Sequence, residues 1–284
     1  MDRGIAGEPR NSDRDLINGQ LYVRKAAVVW GEQEMNESPV LSVQELSGGY
    51  SVNRPVLHDV SFHVRPGEMV GLIGLNGAGK STTMKHILGL MNPQKGEIRV
   101  RGISRNEDAE AYHGALAFVP ESPLLYEEMT VREHLEFTAR SYDVSREEYE
   151  ARAAQLSKMF RMEEKMDSLS AHLSKGMKQK VMIMCAFVAR PSLYIIDEPF
   201  LGLDPLGIRS LLDFMLELKA SGSSVLLSSH ILSTIENYCD RFIVLHQGKI
   251  VAQGTLLEIA EQAGHRDKSL EELFYALIQG GNGG

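Results

Sequence analysis

Gly74-Leu75-Asn76-Gly77-Ala78-Gly79-Lys80-Ser81 fits the pattern G-x-x-x-x-G-K-[ST]. It follows the short apolar run Met69-Val70-Gly71-Leu72-Ile73 and precedes a helical pattern over residues 82–90, the strand–loop–helix order such a loop needs. Glycines there let successive backbone N–H groups turn inward around phosphate oxygens, at the positive end of the following helix. In this reading Lys80 reaches the β- and γ-phosphates, the Ser81 hydroxyl ligates Mg²⁺, and Thr82 continues the helix at the phosphate end. Residues 74–82 are therefore expected to bind a nucleotide.

A phosphate loop alone does not separate kinases, GTPases and motor ATPases. Farther along, Leu193-Tyr194-Ile195-Ile196-Asp197-Glu198 reads as a buried strand ending in two acids. Carboxyl ends of strands are where phosphate loops also lie in open α/β sheets. Asp197 is placed to orient Mg²⁺ through its water shell, and Glu198 to polarise an attacking water. Ser228-Ser229-His230 ends a further strand, 32 residues beyond Glu198. A lone histidine is usually structural, and His86, His113 and His134 have no such context.

Outward from these motifs, strands and helices alternate from residue 40 onward. Strand patterns fall at 41–46, 60–64, 69–73, 97–101, 116–119, 193–197, 224–228, 241–245 and 249–252. Helical periodicity covers 82–90, 131–142, 147–162, 177–189, 206–220 and 232–238, followed by two C-terminal helices and a loose GGNGG end. Two charged amphipathic helices without a strand between them imply a helical lobe. The expected fold is α/β, a mainly parallel core with an antiparallel β flank and an inserted helical subdomain at about 122–190. That core domain is expected to span 39–264, with a C-terminal helix and flexible tail over 265–284.

Residues 1–38 are polar and without sustained periodicity. They read either as a disordered tail or as an extension upstream of a natural start at Met35. The codons of Trp30-Gly31-Glu32 are purine-rich and would fit a bacterial ribosome-binding site ahead of that methionine. Nothing there resembles a secretory signal. Of the 284 residues, 43% are apolar and 24% charged, which excludes wholesale disorder and a fibrous protein. The longest apolar run, 181–189, has nine residues, whereas a bilayer span needs about 20. Thirty Lys and Arg against 38 Asp and Glu leave a formal charge of −8, which disfavours nucleic acid as the main partner. Cys185 and Cys239 form no disulfide framework or zinc cluster, and Cys185 reads as a small core residue.

In motif order, residues 40–260 resemble the ATP-binding subunit of ABC transporters. Leu173-Ser174-Lys175-Gly176-Met177 resembles the family's signature loop, and Pro199-Phe200-Leu201-Gly202-Leu203-Asp204 its D-loop. His230 is similar to the family's switch histidine, and Tyr50 to the aromatic that stacks on adenine. Tyr50 is also open to ordinary packing in a turn, although an aromatic face suits a base. The stretches LSKGMKQKVMIMCAF and IIDEPFLGLDPL bring the likeness close to the Ecs-type ATPase of Gram-positive bacteria.

The resemblance implies that two chains meet head to tail on ATP. Ser174, Gly176 and Asp204 of one then face the ATP held by Tyr50 and the phosphate loop of the other. It also implies a separate multi-span membrane subunit of the Ecs type, a peripheral position on the cytoplasmic face of the cell membrane, and transport leaning toward export, with peptides as one cargo. Three positions depart from the family: Lys175 where Gly is common, Met177 where Gln is, and Glu121 where Gln usually contacts Mg²⁺. A carboxylate is an equally good hard oxygen ligand, so Glu121 either keeps that role or points to water. The competing reading is a soluble ABC ATPase acting on nucleic acid or ribosomes. One phosphate loop, no heptad arm and an acidic balance weigh against it.

Overall fold

The runs MVGLI, LYIID and SVLLS form strands buried at every position. A strand buried along its whole length is covered on both faces, the environment of a parallel sheet. The computed structural model describes residues 38–51, 53–265 and 267–280. Its strands are β1 (Leu41–Gly48), β2 (Leu57–Val64), β3 (Met69–Ile73), β4 (Lys95–Val100) and β5 (Ile103–Ser104), then β6 (Leu116–Val119), β7 (Leu193–Asp197), β8 (Ser224–Ser228), β9 (Arg241–His246) and β10 (Lys249–Gly254). The helices are α1 (Lys80–Ile87), α2 (Ala109–Gly114), α3 (Val131–Ser141), α4 (Arg146–Phe160) and α5 (Lys175–Ala189), then α6 (Pro205–Ala220), α7 (Leu232–Ile235), α8 (Leu256–Gln262) and α9 (Leu270–Gly280).

Six strands pair in the order β10-β9-β3-β8-β7-β6, parallel except at the β9–β10 hairpin. The other four pair antiparallel as β2-β1-β4-β5. With α3, α4 and α5 between β6 and β7, this is the α/β class the sequence implies: a mainly parallel core, an antiparallel flank and inserted helices.

Alternate residues of the parallel strands feed two apolar layers, as the period of two requires. Val225 and Leu227 of β8, with Tyr194 and Ile196 of β7, face the layer that takes in α5 and α6. Leu226, Leu193 and Ile195 face the other, shared with Met84 and Ile87 of α1 and with Leu41, Val43 and Phe62 of the antiparallel sheet. Helix α1 is thus held between the two sheets, and its N-terminus is fixed at the carboxyl edge of β3.

The inserted helices carry their own start signals. Thr130 with Glu133, and Ser145 with Glu148, form capping boxes on α3 and α4. His134 is structural: its Nε2 accepts from the Tyr126 N–H at 2.9 Å, and Nδ1 lies 2.8 Å from the Thr130 carbonyl. Cys185 is buried in α5, and burial pushes its thiol up to about 12, as befits a core residue.

Some ends differ from the sequence pattern. Helix α1 stops at Ile87 because Gly89 adopts φ +69°, a left-handed geometry that ends helices. Helix α7 is shorter than expected, since residues 236–238 form a turn in which the Tyr238 N–H donates to the Ile235 carbonyl. Strand β5 and helix α2 are additional elements, too short for periodicity to reveal. The expectations for 1–37 and for 281–284 lie outside the described residues. Among the described residues, no helix is long and apolar enough to cross a membrane.

Phe187 ties the inserted helices to the sheet. Fully buried on α5, it meets the Tyr194 ring edge-on at 5.4 Å and the Phe214 ring at 4.7 Å. Phe187→Ala is expected to destabilise the protein by about 3–5 kcal/mol, the usual cost of emptying a buried aromatic position. Urea unfolding followed by circular dichroism checks this, and an unshifted midpoint would remove Phe187 as the anchor.

Candidate nucleotide-binding cleft

The parallel register brings the chemistry to one edge. Leu72 of β3 pairs with Ser228 of β8, which pairs on its other side with Asp197 of β7. The loops after these strands, beginning at Gly74, Glu198 and Ser229, therefore leave the sheet side by side. The phosphate loop turns tightly against β9. A Cβ at Gly74 would stand 2.4 Å from the Leu245 carbonyl oxygen, so only glycine fits. Gly79, the residue before α1, adopts φ +111°, which an L side chain resists. Lys80 is 7% exposed; its Nζ donates to the Gly74 carbonyl at 2.7 Å and lies 3.7 Å from Glu198 Oε1. The lysine is folded inside its own loop, aimed across the cleft at the second motif.

Glu198 is held under backbone strain. Its φ of +46° lies in the left-handed region, which costs a non-glycine residue roughly 1–2 kcal/mol. Local hydrogen bonds offset that cost. The Glu198 N–H donates to the Ser228 carbonyl at 3.2 Å and to the Ser228 hydroxyl at 3.1 Å. Its Oε2 accepts from the His230 backbone N–H at 3.1 Å and meets His230 Nδ1 at 2.7 Å. The Ser228 hydroxyl in turn donates to Asp197 Oδ1, fixing that carboxylate behind the cleft. Asp197 and Glu198 are both buried. The kink at Glu198 swings its carboxylate into the cleft, while Asp197, the last residue of β7, stays in the sheet.

The cleft has a volume of about 750 Å³. Of the residues expected from sequence, it is lined by Tyr50, by Gly74, Leu75, Asn76, Gly77, Gly79, Lys80, Ser81 and Thr82 of the loop and helix, and by Glu121, Glu198 and His230. Ala78 is buried under the loop. Tyr50 stands at one end, 68% exposed, its hydroxyl accepting from Lys85 Nζ at 3.1 Å while that nitrogen sits 5.2 Å from the ring centroid. Hydrogen bonds from Lys85 and Thr82 to its oxygen hold the phenol below its ordinary pKa.

Ser174, Gly176 and Asp204 are not among the lining residues. Ser174 caps α5, accepting from the Met177 N–H at 3.3 Å, and Asp204 caps α6, accepting from the Gly207 N–H at 2.6 Å. The two caps are neighbours. A Cβ on Gly176 would come within 2.3 Å of the Gly202 carbonyl oxygen, and Lys180 Nζ lies 3.7 Å from Asp204 Oδ2. Sequence reasoning missed the remaining lining residues, Val56, Leu201, Leu232 and, on α9, Glu271, Phe274 and Tyr275. For α9 the apolar spacing signals a helix, but no local pattern says against which surface it folds back.

A family model described as ABC transporter matches residues 57–201. The chain is 57% identical over 240 residues to the ABC-type transporter ATP-binding protein EcsA of Bacillus subtilis (strain 168), covering 84% of this chain and 97% of EcsA. It is 35% identical over 234 residues to the SkfA peptide export ATP-binding protein SkfE of the same organism, covering 82% and 97%. A solved structure described as the ATP binding subunit of an ABC transporter superposes with a TM-score of 0.82 at 55% identity, over 84% of this chain and 99% of that one. This chain belongs to the ATP-binding subunits of ABC transporters, a family that hydrolyses ATP.

Proposed function

We propose that two copies of this chain close head to tail around two ATP molecules and so drive a separate membrane subunit. The observation that carries this is the location of the second phosphate-binding feature. The capped N-terminus of α5 at Ser174–Gly176 is a ready anion site, yet it lies outside the cleft of its own chain. A two-fold arrangement gives each cleft the missing half from its partner.

Within one cleft, ATP would lie with adenine on Tyr50 and its phosphates in the glycine loop. Lys80 would exchange the Gly74 carbonyl for phosphate oxygens. Glu198, already oriented by His230, would accept a hydrogen bond from the attacking water, and His230 would report the γ-phosphate. Mg²⁺ fits this edge as a partner of the nucleotide. Among the described residues no group of three or more His, Cys, Asp or Glu holds a metal alone. Mg²⁺ commonly takes one or two carboxylates plus substrate phosphates, and Ser81, Asp197 and Glu121 supply hard oxygens here. Bound there, Mg²⁺ would neutralise charge on the phosphates.

The membrane subunit is proposed to be of the Ecs type, holding this chain on the cytoplasmic face of the membrane. Supporting this docking is an exposed aromatic patch just beyond Glu121. Leu124 is 85% exposed, and the Tyr126 and Phe137 rings meet edge-on at 6.4 Å. The domain unit is proposed as 39–264, with the helical subdomain at about 122–190 facing that partner and 265–284 as a C-terminal helix and tail. Export, with peptides as one cargo, is proposed from the likeness to the peptide export protein SkfE. A ribosome- or nucleic-acid-directed ATPase is not favoured, since the relatives are transporter proteins.

Glu198→Gln should bind ATP, lose at least about a hundredfold in turnover, and run as a dimer with ATP in size-exclusion chromatography. Turnover at the normal rate would place the base elsewhere, and a monomer at saturating ATP would remove the sandwich. Glu121→Gln should raise the Mg²⁺ concentration for half-maximal ATPase by about fivefold, the effect of roughly one exposed charge. An unchanged Mg²⁺ titration would mean that Glu121 points to water.

A further inference from the structure

The C-terminal helix forms part of the cleft wall. Leu270, Leu273, Phe274 and Ile278 of α9 are buried, the spacing of one apolar helical face. Glu271 and Tyr275, four residues apart and therefore on one side, are left at the cleft. The first turn of α9 is pinned to the end of α7, for the Leu270 N–H donates to Glu236 Oε2 at 3.0 Å. Glu236 directly follows α7, the helix that begins two residues after His230. Glu271 thus shares the wall of one cleft with Lys80, Glu198 and His230.

Its carboxylate faces the helix dipole in the first turn of α9 but makes no side-chain pairing. Among the described residues Glu271 has no hydrogen-bond or ion-pair partner. Capping of α9 falls to Glu272, whose Oε2 accepts from the Ser269 N–H at 3.0 Å. Among the described lining residues Lys80 is the one permanent cation, facing the carboxylates of Glu121, Glu198 and Glu271. Lys80 and Glu198 offset each other across 3.7 Å, so Glu271 adds net negative charge to the cleft in which the phosphates are to lie. A fixed carboxylate repels a ligand in proportion to the ligand's charge. Metal-free ATP carries about four negative charges, and its Mg²⁺ complex about two, so the penalty falls mainly on the metal-free form.

We propose that Glu271 of α9 is a specificity-determining residue that makes the cleft select the Mg²⁺ complex of ATP over the free nucleotide. The inference rests on ATP occupying the cleft between Tyr50 and His230. The test is calorimetric titration of the full chain with the non-hydrolysable analogue adenylyl imidodiphosphate, in Mg²⁺ and in EDTA. Glu271→Gln should tighten metal-free binding about three- to tenfold and the Mg²⁺ complex by about the square root of that, roughly two- to threefold, with added salt erasing the difference. Glu271→Asp should bind like the wild type. Equal changes in both conditions, or none, overturn the proposal, with a thermal melt confirming that each variant is folded. Lys80→Ala separates the two levels. If it weakens binding while Glu271→Gln does nothing, the role of Glu271 alone fails. If it leaves binding intact, the cleft assignment fails and takes the role of Glu271 with it.

Discussion

The hydrogen-bond ladder that places Leu72, Ser228 and Asp197 in one row is the constraint on which the rest of the structure depends. Parallel strands in register all end at the same edge. The loop after each therefore begins within reach of the other two, whatever their separation in sequence. Slipping β8 by one residue would turn Ser228 from the site into an apolar layer and bring its neighbour forward. The register is protected by what it buries: Val225 and Leu227 fit one layer, Leu226 the other, and neither layer accepts the exchange. Core packing and site geometry are thus consequences of one pairing.

One strained residue sits at the place where that edge must be left abruptly. At Glu198 the backbone enters the left-handed region immediately after the last buried residue of β7, without a glycine to ease it. Ser228 supplies both of the acceptors that hold the Glu198 N–H, and His230 holds the carboxylate from the next strand's loop. The side chain that must be aimed most accurately is therefore fixed by a neighbouring strand rather than by its own. A small movement of the His230 loop is transmitted directly to the carboxylate.

Much of this was legible in the residues. The phosphate loop, the strand ending in Asp197-Glu198 and the strand ending at His230 announce themselves through local spacing, because each needs a particular residue at a particular turn. The fold class follows from apolar runs too short for helices alternating with amphipathic periods. What stayed hidden depends on folding back over long distances. Glu271 and Tyr275 belong to a helix whose amphipathic period is clear, but the surface it meets is fixed by Glu236 and α7, more than thirty residues earlier. Short pieces such as α2 depend on a single cap, here Asp108 accepting from the Ala111 N–H, and on the burial of Tyr112, neither of which makes a period. That Ser174 and Gly176 lie outside the cleft is likewise not written in any one motif.

The contact between Gly176 and Gly202 bears on how this sequence can change over time. A side chain at 176 would collide with backbone, not with a flexible neighbour, so no rotamer change relieves it. Relief would require the segment leading to Asp204 to retreat, and with it the cap of α6. The adjoining positions 175 and 177 face no such barrier, for there the chain carries the full side chains of Lys and Met. Mutational drift in this loop is therefore steered to the two positions flanking a fixed point. Any lineage that altered Gly176 would have to remodel a second, distant loop in the same step.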